Sequence, residues 1–304
     1  MRMPCIMPPE DASISLFDVG ASLIEGAPPD LLPILGGLAG VLLLIGAPVL
    51  ILEVWRLHRA GRLTRTRIAG MVTSAFCLLP AALVEIALGA LLAALFFAAA
   101  ALAPWPIATT WASALLCFLL VDFFYYCEHR LAHEVNALWS LYHSVHHSAD
   151  HYDQTIALRI SFVDFFFAPL VYLPLVLAGF HPVLVFACLG LVLAWQQWIH
   201  TELVGKLPLL DPWLNTPSNH RVHHGRNPIY IDKNYGGFLM VWDRMFGTYA
   251  AETEKVEYGL VEQLDSRNPI AVHFSSLGKM LTALWQARSL RRAMTVLFGK
   301  PRAG

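Results

Sequence analysis

The histidines of this 304-residue chain come in bursts. "HRLAHEVNALWSLYHSVHHSADH" (129–151) holds six of the thirteen, and "NHRVHH" (219–224) holds three more. His129 and His133 are four apart, so on a helix they stand one turn apart on one face. His143, His146 and His147 fall at i, i+3 and i+4, and His220, His223 and His224 repeat that spacing. Neutral imidazoles brought face to face are costly unless they share a cation, and a pH sensor would not need this repeated geometry. Metal binding is therefore the expected chemistry. Eight or nine imidazoles exceed the needs of one ion, and two metals with four or five nitrogens each is the simplest accounting. His200, in "QQWIHTE", is the ninth candidate, and Gln196 lies one helical turn before it. Imidazole suits iron, zinc or copper, so spacing alone does not choose the metal.

Several other chemistries are absent from the pattern. "HEVNA" (133–137) starts like a zinc-protease motif, but position 137 is Ala. No E-x-x-H occurs, which removes the carboxylate-rich di-iron bundle, and no G-x-S-x-G occurs. The five cysteines (5, 77, 117, 127, 188) form no C-x-x-C pair, so neither a disulfide framework nor a thiolate zinc site is expected. Net charge is −1, and no basic tract interleaved with aromatics appears, so nucleic acid is not an expected partner.

The elements that must carry these histidines are greasy. The chain is 57% hydrophobic and only 14% charged, with a mean hydropathy of +0.54. Soluble domains carry about 25% charged residues, so a bilayer is the expected solvent. Leu31 to Leu52 is uncharged and long enough to span. From Ile68 to Val121 the only charge is Glu85, with a breaker at "APWP" (103–106) and kink candidates at Pro80 and Gly89. Phe165 to Ile199 is again uncharged, broken at "GFHP" (179–182), and reads as a hairpin with short arms. The fold class expected is an all-α integral membrane protein. It has four to five transmembrane or hairpin helices and a cytoplasmic helical cap that holds a histidine-ligated dimetal site.

Charge sets the sides. The first thirty residues carry one Arg against five acids and do not form a good signal peptide, whereas "WRLHRAGRLTRTR" (55–67) carries five arginines. The expected division is a non-cytoplasmic segment (1–30), transmembrane helices (31–127), a catalytic region (128–252) containing a membrane hairpin (162–199), and a cytoplasmic tail (253–304). Residues 275–298 read as one helix with Leu277, Met280, Leu281, Leu284 and Trp285 on one side. It is either interfacial or packed on its own domain.

"HRLAH", "HSVHH" and "HRVHH" resemble the histidine boxes of the membrane fatty acid hydroxylase and sterol desaturase superfamily. The similarity continues through "HHSADHYDQTIALR", "IHTE" and "LNTPSNHRVHHGRNPIYIDKNYGGFLMVWDRMFGTY", over roughly residues 120–252. Within the superfamily these stretches look most like the alkylglycerol monooxygenase group and its bacterial relatives. The resemblance implies a membrane di-iron oxygenase that hydroxylates lipid C–H bonds with dioxygen. Its two iron ions would be held by His129, His133, His143, His146, His147, His200, His220, His223 and His224. His151 is left out, because relatives often carry an acidic residue there. Gln196, Asp153 and Glu202 are the candidates for orienting ligands, while Asp243 and Arg244 read as a structural ion pair. No haem or ferredoxin signature is present, so electrons would come from a separate redox protein or from a pterin such as tetrahydrobiopterin. The lipid substrate would enter from the bilayer, between the spans. A desaturase is the close alternative, and a metal-storage or transport protein is the reading from a different class.

Overall fold

The computed structural model describes residues 27–264 and 266–301, and among them it is helical with no strand. The expectation for the extreme N-terminus lies outside these residues. Three helices are long and apolar enough to cross a membrane: α1 (Leu31–Arg59), α2 (Arg65–Ala100) and α3 (Trp111–Glu134). Between α1 and α2 the chain turns at Gly61, whose φ of 65° is a left-handed conformation. Thr64 then caps α2 by accepting from the Arg67 N–H. Thr110 and Ser113 form a reciprocal capping box at the start of α3. The segment from 65 to 100 is one continuous helix with Pro80 inside it, ending just before the "APWP" breaker.

The apolar run after residue 164 does fold back on itself. Its first arm is broken into short turns (Asp164–Phe167, Ala168–Tyr172, Leu173–Leu177), whereas its second arm is the regular helix α4 (Pro182–Trp198). The reversal falls at Gly179, with φ of 109°. α1 and α3 both pack on α4. The apolar core joins α3, the broken arm and α4 through Cys117, Val121, Tyr172, Val176, Val185, Cys188 and Val192. Outward-facing residues such as Leu44, Ile86 and Leu91 are largely exposed, as suits a lipid-facing surface.

Beyond α4 come four helices: α5 (Pro217–His223), which carries site histidines, α6 (Val241–Phe246), and then α7 (Pro269–Trp285) with α8 (Leu290–Phe298). The last pair corrects the expectation of a single helix over 275–298. The chain leaves α7 at Gln286, and the Ser289 side chain accepts from the Arg292 N–H to start a new helix. The expected Asp243–Arg244 pair is also absent. Asp243 accepts from the backbone N–H groups of Tyr235 and Gly236, at 2.8 and 2.7 Å, and from the Thr248 hydroxyl. Arg244 instead donates to the Pro212 carbonyl and lies over the Tyr249 ring.

Candidate metal centre

All nine predicted ligand histidines converge, and they sort into two groups. His129, His133, His143, His147 and His223 form one; His146, His200, His220 and His224 form the other. Within each group the ligand nitrogens all lie within 4.8 Å of one another. His129 and His133 sit on the last turns of α3. After α3 the backbone opens at Val135 and re-enters helix through a π-turn, Trp139–His143, continuous with the turn Ser144–His147. Such π-turns gather at functional sites because the extra residue re-aims side chains. His200 follows the end of α4, and His220 and His223 lie on α5, with His224 just after it.

Backbone carbonyls set the ring orientations. Nδ1 of His129 faces the Tyr235 carbonyl at 2.9 Å, and that of His200 faces the Gln196 carbonyl at 2.8 Å. Nδ1 of His146 and of His223 face the carbonyls of Arg159 and Lys233, at 3.3 and 3.1 Å. A carbonyl only accepts, so each Nδ1 carries the proton and each Nε2 presents a lone pair inward. Those lone pairs then meet one another: Nε2 of His200 is 3.2 Å from that of His146 and 2.9 Å from that of His220. In the other group Nε2 of His133 is 3.0 Å from that of His143 and 3.2 Å from that of His147. Two nitrogens bound side by side to one metal at about 2.1 Å would stand about 3 Å apart. Nε2 of both His223 and His224 is buried without a hydrogen-bond partner. The donor set therefore fits two cations. His147 and His224, one from each group, stack at 4.3 Å and form the seam between them.

Burial and the neighbouring imidazoles hold His143, His147, His200, His220, His223 and His224 well below the ordinary histidine value, and burial holds His146 at about 4. The rings are thus neutral and ready to ligate at pH 7. A pH prediction follows for the metal-free protein. Below about 6.5 the unfolded chain takes up protons that the folded chain refuses, so stability falls as pH drops, by about 1.4 kcal/mol per pH unit for each such proton. The thermal midpoint of the metal-free protein should be level above pH 7 and fall steeply below pH 6. A midpoint unchanged from pH 7 to pH 5 would contradict buried neutral rings.

Three further candidates lie close by. The Gln196 carbonyl, rather than its side chain, orients His200. Asp153 accepts from Thr155, faces Arg67 at 3.5 Å and lies 3.4 Å from His151. Glu202 faces Arg67 at 3.7 Å and accepts from Tyr258. Neither carboxylate bonds to one of the nine histidines. His151 joins Asp150 and Asp153 instead of the cluster.

Two carboxylates do more than the sequence reading assigned them. Glu53 of α1, buried, accepts from the Gln154 N–H, the Thr201 hydroxyl and the Glu202 N–H, tying down the two residues that follow His200. Asp122 of α3 accepts from the Phe238 and Leu239 N–H groups and from the Trp242 indole, close to the Tyr235 carbonyl that orients His129. The available signal was a lone acid bordering an apolar run, which rarely stands there without a partner.

Three helices long and apolar enough to cross a membrane thus accompany a cluster of nine histidines, in two groups, that could hold metal. Residues 114–248 match the family model described as fatty acid hydroxylase. It is 46% identical over 209 residues to the alkylglycerol monooxygenase of Homo sapiens, covering 66% of this chain and 46% of that protein. The Xenopus tropicalis alkylglycerol monooxygenase is 44% identical with the same coverage. The ornithine lipid hydroxylase of Rhizobium tropici is 34% identical over 147 residues, 48% of this chain and 43% of that one. The chain spans about half the length of the alkylglycerol monooxygenases just described. No solved structure matches it.

Proposed function

We propose that the protein is a membrane-bound di-iron oxygenase that hydroxylates a C–H bond of a lipid. The observation that carries this reading is the pair of all-imidazole groups, facing lone pairs about 3 Å apart, in and beside the stretch that matches the fatty acid hydroxylase family model. His129, His133, His143, His147 and His223 would hold one iron, and His146, His200, His220 and His224 the other. Bound there, the irons would supply dioxygen activation. The chain's own part is to bury the nine rings together and to aim four of them, His146, His200, His223 and His129, through the carbonyls at positions 159, 196, 233 and 235. The similarity to alkylglycerol monooxygenases favours an ether lipid substrate and a tetrahydrobiopterin-like reductant, with a separate redox protein as the other source of electrons. The arginine-rich turn between α1 and α2 favours a cytoplasmic site. The division into transmembrane helices (31–127), a catalytic region (128–252) and a tail (253–304) accompanies that placement.

Comparative lipidomics of a deletion strain, complemented with the gene, tests the reading. The complemented strain should regain a lipid heavier by one oxygen, or the cleavage products of an unstable hydroxylated ether. A regained species lighter by two hydrogens would assign a desaturase, the activity named for a sterol desaturase 30% identical over 143 residues. Purified protein holding zinc alone and consuming no dioxygen with any reductant would overturn both.

A further inference from the structure

A cavity of about 410 Å³ adjoins the metal centre, within the size range of small-ligand sites. One wall is His133, His147, His223 and His224, drawn from both histidine groups. The opposite wall is the C-terminal helix pair, through Ser276, Met280 and Ala283 of α7 and Thr295 and Val296 of α8. The C-terminal helices thus wall the cavity, and of the three long helices only α3 reaches it, through His133.

The other side of that wall is apolar and bare. On α7, Ile270, Phe274, Leu281 and Trp285 follow helical spacing along one face and are exposed, Trp285 by 92%. On α8, Leu290, Met294 and Phe298 recur every four residues and are all exposed. Seven large apolar side chains on two adjoining helices are more than a water-facing surface ordinarily shows. The depth of the pair can be read from its contacts. His273 of α7 lies against Cys77 of α2, and the Arg267 carbonyl accepts from the Thr73 hydroxyl. At that level α2 itself presents Val72 and Phe76 outward. α8 is fastened just past the end of α3, where Asn136 donates to the carbonyls of Val296 and Gly299. Arg288 and Arg291 stand exposed beside the apolar faces, placed to reach lipid phosphates.

We propose that α7 and α8 lie in the surface of the membrane leaflet and form the wall through which a chain-bearing lipid reaches the cavity beside the histidines. The outer faces of the two helices meet the acyl chains, and their inner faces line the binding space. This deepens the oxygenase reading by giving its lipid substrate a site and a path. The occupant of the outer face is lipid, because the face continues the apolar exterior of α2 and carries basic residues at its edge.

Full-length, metal-loaded protein in nanodiscs of phosphatidylcholine and phosphatidylglycerol tests both halves. The emission of Trp285, taken as the difference between wild type and Trp285→Phe, should be blue-shifted and mostly lost when the acyl chains carry bromine near the headgroup. Emission as in water, indifferent to brominated chains, overturns the seating. In the second measurement a phosphatidylcholine with a chain-borne diazirine is irradiated in the disc and the labelled residues are mapped. Label on Met280 or Val296 as well as on Phe298 is expected, and label confined to the outer face overturns the path. Neither readout requires turnover, so a protein that labels as expected but oxidises no lipid defeats the oxygenase reading alone.

Discussion

Replacing His146 with alanine should lower bound iron from two ions per chain to about one and abolish dioxygen-dependent lipid turnover. His146 belongs to the four-histidine group, which has no spare ligand once a ring is removed. Its Nε2 faces that of His200 at 3.2 Å, and its Nδ1 is fixed by the Arg159 carbonyl. The alanine removes a donor from this group and leaves all five rings of the other group in place. His151→Ala is the matching control. That ring is close in sequence yet engaged with Asp150 and Asp153, so both irons should remain. Elemental analysis of purified protein reads the outcome. Equal iron in wild type and His146→Ala would remove His146 from the metal centre, and loss of iron in His151→Ala would bring that residue into it.

The nine histidines were legible because their spacing repeats, but the spacing does not say which rings share an ion. Rings at i and i+4 stay together (143 with 147, 220 with 224), whereas the i+3 ring of each box crosses to the other group. That crossing depends on a π-turn and on how α5 packs against it, and neither is a property of one helix face. The groups that aim the rings were still harder to see. A carboxylate partner can be guessed from residue type, but the partners found are backbone carbonyls, which every residue has. The three long helices stood out by hydropathy, while the break at residues 286–289 did not, because Ser289 acts through one capping bond. The cavity wall joins residues about 150 positions apart in the chain, as with His133 and Met280, and no local pattern carries that information.

Asp122→Ala should be the most damaging change outside the histidines. Its Oδ1 accepts from the Phe238 N–H at 2.7 Å, and its Oδ2 from the Leu239 N–H at 3.1 Å and the Trp242 indole at 2.9 Å. Asp122 is fully buried, so alanine leaves three part-buried donors without their acceptor. Each buried donor left unsatisfied costs about 1–3 kcal/mol, and a combined loss of roughly 3–6 kcal/mol rivals the whole stability of an ordinary domain. Asparagine offers little relief. It keeps one oxygen for Phe238, but turns an amide N–H₂ toward the two donors that Oδ2 served. Trp242→Phe removes a single donor and should cost about 1 kcal/mol. The site feels the change because Phe238 and Leu239 follow Tyr235, whose carbonyl aims His129. Gly236 and Gly237 keep that segment close, since a Cβ at Gly237 would come within 2.9 Å of the Asp122 carboxylate. Loss of such ligand-orienting contacts lowers metal affinity by about 10–100-fold. In detergent, Asp122→Ala and Asp122→Asn should both unfold at markedly lower temperature and yield iron to a chelator far faster than Trp242→Phe. If Asp122→Ala instead keeps wild-type iron retention and stability, the three hydrogen bonds do not hold the α3 end of the metal centre in place.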